Sequence, residues 1–216
     1  MDLKECAKAF RAQKPGESIK PEWCTYLRGM TPPEGFPTEY TAPTFTILNE
    51  TGAKNLYSDE HFCLYLNVTL PYTELYPNKE ARAGMSFVHL LACPRARIYN
   101  ASTLEPTDRP LLEHMASTVS RLVDSFDFRR QVYDELMLKF WPSMQEGFSD
   151  EVKAKFDIHA NLWLNRTCGA SMGYYFHKHP HHSVGHLHMH CLADNLRTSN
   201  LHNKKNTPLE DVLALI

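Results

Sequence analysis

The chain has no Cys-x-x-Cys pair, no run of eighteen apolar residues and no surplus of basic charge. Each absence excludes something. Its six cysteines (Cys6, Cys24, Cys63, Cys93, Cys168 and Cys191) are widely spaced. That reads against a disulfide framework and for reduced thiols, so a cytoplasmic setting, with a nuclear one beside it, is expected. Without a long apolar run no membrane-spanning helix is expected, and the opening MDLKECAKAF lacks the h-region of a secretory leader. Lys+Arg 23 against Asp+Glu 25 leaves a net charge of −2, so no basic field exists to wrap nucleic acid. No internal repeat is found. What remains is ordinary globular usage, 43% hydrophobic and 22% charged over 216 residues, enough to bury a real core.

What the chain does have is histidine. Seven of its 12 histidines fall between His177 and His190, well inside the chain. The rest of the sequence supplies a frame for that cluster. Residues 1–14 read as a short amphipathic helix. Residues 1–43 as a whole form an N-terminal arm, proline-rich from Pro15 to Pro43, with Trp23, Tyr26 and Phe36 interleaved. Prolines at that density exclude long helices and central strands. The arm is expected to wrap over the domain and lie near the pocket rim.

From residue 44 to 216 one domain is expected. Thr44–Leu48, Phe62–Leu70 and Met85–Cys93 are rich in β-branched and aromatic residues and read as strands, with a turn at Asn49–Gly52 and a polar loop over Pro71–Gly84. The period then changes. Leu111, Leu112, Met115, Val119, Leu122, Val123 and Phe126 recur at three and four, which predicts a helix with Thr107 or Asp108 as cap and Pro110 in its first turn. Val132, Leu136 and Phe140 predict a second helical stretch stopped by Pro142, and Ser149 caps a third through about Ala160. Met172–His179 and Val184–Ala193 return to strand character. Thr207-Pro-Leu-Glu210 reads as a capping box for a last helix over 207–216. Strands, helices and strands again predict an α+β fold with an antiparallel sheet of about five strands, a long helix and a helical insertion at about 129–171.

His186-Leu-His188-Met-His190 is the informative segment. On a strand, alternate side chains share a face, so the three imidazoles line up roughly 6.6 Å apart while Leu187 and Met189 point into a core. Three readings compete: a solvated face, a metal site completed by a ligand such as His177 or His179, and nucleophilic catalysis by an imidazole on phosphorus. His89, inside MSFVHLLAC, reads as a hydrogen-bonded core or cross-strand histidine. Cys191 faces the core side and is expected to be inert.

Gly185–Leu192 (GHLHMHCL) resembles the His-φ-His-φ-His-φ-φ signature of the histidine-triad superfamily. Asn55–Glu60 followed by Phe62–Val68 looks like that family's nucleotide-binding hairpin, and Phe87–Leu91 followed by Cys93–Ile98 like its strand and basic turn. Ala101–Met115 is similar to the helix entry of the scavenger mRNA-decapping branch, as is the spacing of His179 and Ser183 before the triad. The resemblance implies a histidine-triad fold and a hydrolase or nucleotidyl transferase acting at the α-phosphate of a dinucleoside polyphosphate, a cap-like dinucleotide or a nucleoside phosphoramidate. It implies that His188 is the nucleophile and that His186 and His190 orient it or bind phosphate oxygens. Ser183, His179, Asn67 and Arg97 stand at substrate-binding positions, Asn67 where many members carry an acid for the ribose. No metal or other cofactor is required by that mechanism. A homodimer is the expected assembly, with the Leu111–Phe126 helix offering an apolar face. The competing functions are a non-catalytic nucleotide sensor and a zinc-binding protein.

Overall fold

A computed structural model describes residues 3–14, 16–17, 44–67, 69–76, 78, 83–166, 171–177, 184–197 and 206–216. Most of the proline-rich arm, with Trp23, Tyr26 and Phe36, lies outside the described residues. The helices are α1 (Leu3–Ala12), α2 (Thr44–Thr51), α3 (Arg109–Asp124), α4 (Phe126–Gly147), α5 (Asp150–Leu164) and α6 (Leu209–Leu213). The strands are β1 (Tyr57–Ser58), β2 (Phe62–Leu66), β3 (His89–Pro94), β4 (Met172–His177), β5 (Met189–Ala193) and β6 (Asn206–Pro208). They form one open antiparallel sheet of six strands in the order β1-β2-β3-β5-β4-β6. The class is α+β, as expected, with β6 added at the edge.

The strand alternation sorts the sheet into two faces. Leu64, Leu90, Ala92, Met189, Cys191 and Phe176 point to one side, where α3, α4 and α5 supply Leu112, Met115, Val119, Val132, Leu136, Phe156 and Trp163. Burial of this layer is the main driving force for the fold. The stripe expected over residues 111–126 is used here: Leu112, Met115, Val119 and Val123 are fully buried in the chain's own core, while Phe126 is exposed. Cys191 joins this core, and burial drives its thiol well above its ordinary pKa. The opposite face carries Cys63, Tyr65, Leu91 and Cys93, packed against Phe45 of α2. Among the described residues Cys63, Cys93 and Cys191 are free thiols.

Several local expectations are corrected. Thr44–Leu48 is the start of helix α2, which also absorbs the turn expected at Asn49–Gly52. Its β-branched residues favour a strand, but Phe45 and Leu48, spaced i,i+3, both pack toward the sheet, and that burial outweighs propensity. Helix α4 runs through Pro142 to Gly147 instead of ending there. Proline removes the N–H that would bond the Leu138 carbonyl, and Leu138 is 71% exposed, so water can serve that carbonyl. Ser125 breaks α3 from α4 and accepts the Phe128 N–H, and Ser149 caps α5 through the Val152 N–H. Thr207 pairs in the ladder with Phe176 rather than capping, and α6 starts only at Leu209 without a side-chain cap. The strand expected over 184–193 is regular only from Met189.

The helical layer makes a direct prediction. Phe156 of α5 meets Phe87 edge-to-face at 5.1 Å between ring centres, and both are fully buried. Phe156→Ala is expected to lower unfolding free energy by about 3–5 kcal/mol in a denaturant titration. A loss below about 1 kcal/mol would mean that α5 does not pack on the sheet as described.

Candidate active site

The second face of the sheet gathers the histidines. Register sets Leu91 and Tyr175 on either side of His190 in the three central strands. Continuing the β4–β5 register by two residues brings His177 opposite His188. His89 lies diagonally across from His190 on the same face. The segment from Val184 to His188 precedes β5 but keeps its alternation, because the Leu187 N–H donates to the Ile98 carbonyl at 2.7 Å and Leu187 enters the core.

His186 is the most deeply set of the triad, 1% exposed. Its Nε2–H donates to the Pro94 carbonyl at 2.8 Å, and its Nδ1 therefore accepts from the Thr46 hydroxyl of α2. Phe10 of α1 closes over it edge-on at 6.0 Å. Burial pulls its pKa down to about 4, with the His188 and Arg97 charges acting the same way and the Pro94 bond against it. His186 is thus neutral at pH 7 and engaged at both nitrogens. It positions its neighbours and does not offer a cation to a phosphate.

His188 depends on that anchor. Its Nδ1 lies 2.9 Å from the His186 carbonyl, an acceptor, so Nδ1 carries the proton and the neutral ring has its lone pair on Nε2. The Phe45 ring packs on the imidazole at 4.8 Å between centres. His190 is held through a chain of side chains. Asn67 Nδ2 donates to Thr69 Oγ1 at 3.3 Å and to His89 Nδ1 at 2.7 Å, so His89 Nε2–H donates to His190 Nδ1 at 2.8 Å. In that tautomer chain neutral His190 carries its proton on Nε2, and the His188 ring lies 4.8 Å away between centres. His177 of β4 packs tilted against His190, 4.0 Å between ring centres.

Asn67, expected to meet substrate, instead spends its amide on His89 while also lining a neighbouring cavity. Arg97, expected to reach a distal phosphate, is buried and ion-paired with Glu50 of α2, so its charge is matched inside the protein. Burial raises the Glu50 carboxyl, but the Gly16 N–H and the Arg97 guanidinium outweigh it and hold the group below its ordinary value. Arg95 donates to the Asp59 carbonyl at 2.7 Å. Ser183 and His179 lie outside the described residues. Thr46, Phe45 and Glu50 were hidden from sequence reasoning because residues 44–52 read as a strand followed by a turn. His89 was visible as a polar residue in an apolar run, and His177 only as one histidine among several.

The cavity beside the histidines measures about 640 Å³, within the range of small-molecule sites. Phe45, Leu48, Tyr65, Leu91 and Asn67 form its inner wall, and Leu138 and Lys139 of α4 its outer one. Its lining does not include the imidazoles; it opens from Phe45, which touches His188. An apolar chamber with a few polar side chains in its lining suits a flat ring system. Compared with family models, with curated proteins and with solved structures, the chain matches none of them.

The anchor on His186 is testable alone. Thr46→Val removes a hydroxyl and keeps the shape, leaving the buried Nδ1 without its donor. A loss of about 1–3 kcal/mol in unfolding free energy is expected. An unchanged denaturation midpoint would show that Thr46 does not hold the ring.

Proposed function

We propose that the chain is a histidine-triad hydrolase or nucleotidyl transferase, with a histidine-triad-like fold, acting at the α-phosphate of a nucleotide. One observation carries this reading: the Nδ1–H of His188 is bound to the His186 carbonyl, which directs the Nε2 lone pair away from the backbone. A neutral imidazole with a defined tautomer is a competent nucleophile near pH 7.

In the first step His188 Nε2 forms a bond to the α-phosphorus, and the bond from phosphorus to the leaving oxygen or nitrogen breaks. The leaving group departs with the electron pair and takes a proton from solvent. In the second step water attacks the same phosphorus and releases a proton to solvent, the phosphorus–nitrogen bond breaks, and the nucleoside monophosphate leaves with His188 restored. His190 supports both steps as an Nε2–H donor to a phosphate oxygen, in the tautomer set by Asn67 and His89. His186 contributes position through its carbonyl. The 640 Å³ cavity next to Phe45 supports a base or nucleoside as the group bound beside the phosphate.

Dinucleoside polyphosphates, cap-like dinucleotides and nucleoside phosphoramidates form the panel to assay. His188→Ala is expected to reduce turnover by roughly 10⁴-fold or more with the fold intact. Wild-type protein trapped during turnover should carry an adduct on His188 that survives base and is lost in acid. Near-wild-type rates in His188→Ala would remove the nucleophile assignment. Turnover is also expected to survive dialysis against a strong chelator, since no step calls for a metal.

A further inference from the structure

We propose that His177, His188 and His190 together form a binding site for a zinc-class divalent cation, and that an ion held there blocks the nucleophile. Donor nitrogens of the three imidazoles all lie within 4.8 Å of one another. Around a tetrahedral ion with metal–nitrogen bonds of about 2.0–2.1 Å, ligand nitrogens sit roughly 3.3 Å apart. Closing from 4.8 Å takes about 1.5 Å at the widest pair, within reach of imidazole ring rotation. Three imidazoles and no carboxylate suit Zn²⁺, Co²⁺ or Ni²⁺ and not Mg²⁺ or Ca²⁺, which take oxygen ligands.

The surroundings resemble those of metal-bound histidines. Such rings are oriented by a partner at the other nitrogen. His188 has the His186 carbonyl at Nδ1, and His190 has His89 at Nδ1, so for both the ligand atom is Nε2. His177 comes from the adjacent strand and packs against His190, so the set joins β4 to β5 and the residue before it and is not a property of the triad alone. The nearby Arg97 charge is matched by Glu50, which lowers the repulsion a dication would meet.

The Asn67–His89 pair tunes this site. As oriented, the Asn67 amide N–H favours Nε2–H on His190, which cannot ligate. Turning the amide so that its carbonyl faces His89 reverses both tautomers: His89 carries Nδ1–H, His190 carries Nδ1–H, and His190 Nε2 gains the lone pair. The number of protons on the two rings is unchanged. One lone pair on His188 then serves either a phosphorus atom or a cation, never both.

Cobalt is the probe, titrated into the metal-free full chain and followed by its visible d–d absorption, with zinc as competitor. One ion per chain is expected. His177→Ala should weaken binding by more than about 100-fold while keeping the far-UV spectrum and melting temperature, and Asn67→Asp should tighten it by about tenfold. No cobalt uptake by the wild type, or uptake unchanged in His177→Ala, overturns the site. The inhibitory half rests on the hydrolase reading. Zinc that stops the wild type should leave His177→Ala turning over, and equal inhibition of both overturns the shared use of His188. If the metal-free wild type turns over nothing in the panel, the hydrolase reading fails, and the cobalt titration still decides the site.

Discussion

The buried imidazole of His186 is the contact on which the rest of the site depends. Residues 184–188 are not in the regular ladder, so few backbone bonds hold them to the sheet. The side chain does that work instead, tying the Thr46 hydroxyl on one element to the Pro94 carbonyl at the end of β3. Each bond is modest by itself, but an unpaired nitrogen at this depth would cost more than either bond gains. The His186 carbonyl also fixes the tautomer of His188. A residue engaged at both ring nitrogens thereby sets the tautomer of its neighbour two positions on.

The division of the sheet into two unlike faces makes such an arrangement affordable. One face is covered by three helices and buries most of the large apolar side chains. The other has a small apolar cluster, a row of imidazoles and a thin cover from α1 and α2. Polar groups cost stability when buried, and here they are concentrated where nearly every one that the site uses has a partner. The cover is held to the body by polar bonds: Asn49 donates to the Pro94 carbonyl at 2.9 Å, Tyr65 donates to Asn49 at 2.9 Å, and Arg11 pairs with Asp108 at 3.0 Å. Pro94 O thus receives both Asn49 and His186, so the end of β3 joins α2 to the triad.

Periodicity made the frame legible. Alternation put Leu187, Met189 and Cys191 on one face and the histidines on the other, and the three-four spacing of residues 111–123 found the helix that packs beneath. Those signals are strong because a wrong face would expose a whole row of apolar groups. Helix α2 was illegible for the opposite reason. Eight residues with three β-branched positions in the first four carry little periodic signal, and the contact of Phe45 and Leu48 with the Tyr65–Leu91 cluster is not visible in their spacing. The partners of Asn67 and Arg97 were hidden for a related cause: side-chain pairing across elements leaves no trace in spacing. Arg97 and Glu50 are 47 residues apart, and nothing in either neighbourhood marks them as a pair.

Neutrality governs what the imidazoles can do. Protonation anywhere among them would raise the cost of protonating the next, and burial raises it further. With His186 held neutral by burial and Arg97 matched by Glu50, the fixed charge near His188 stays small. A strongly cationic pocket would bind phosphate more tightly, yet it would also stabilise bound substrate as much as the transition state, which does not speed the chemical step. A neutral imidazole instead keeps a lone pair available and takes up charge only when something electrophilic arrives. The Asn67–His89 pair adds a choice to that neutrality. Its amide orientation sets whether His190 Nε2 is a donor, the form suited to an anionic oxygen, or an acceptor, the form suited to a cation. The two proposals therefore share His188 and His190, while His186 belongs to the first and His177 to the second.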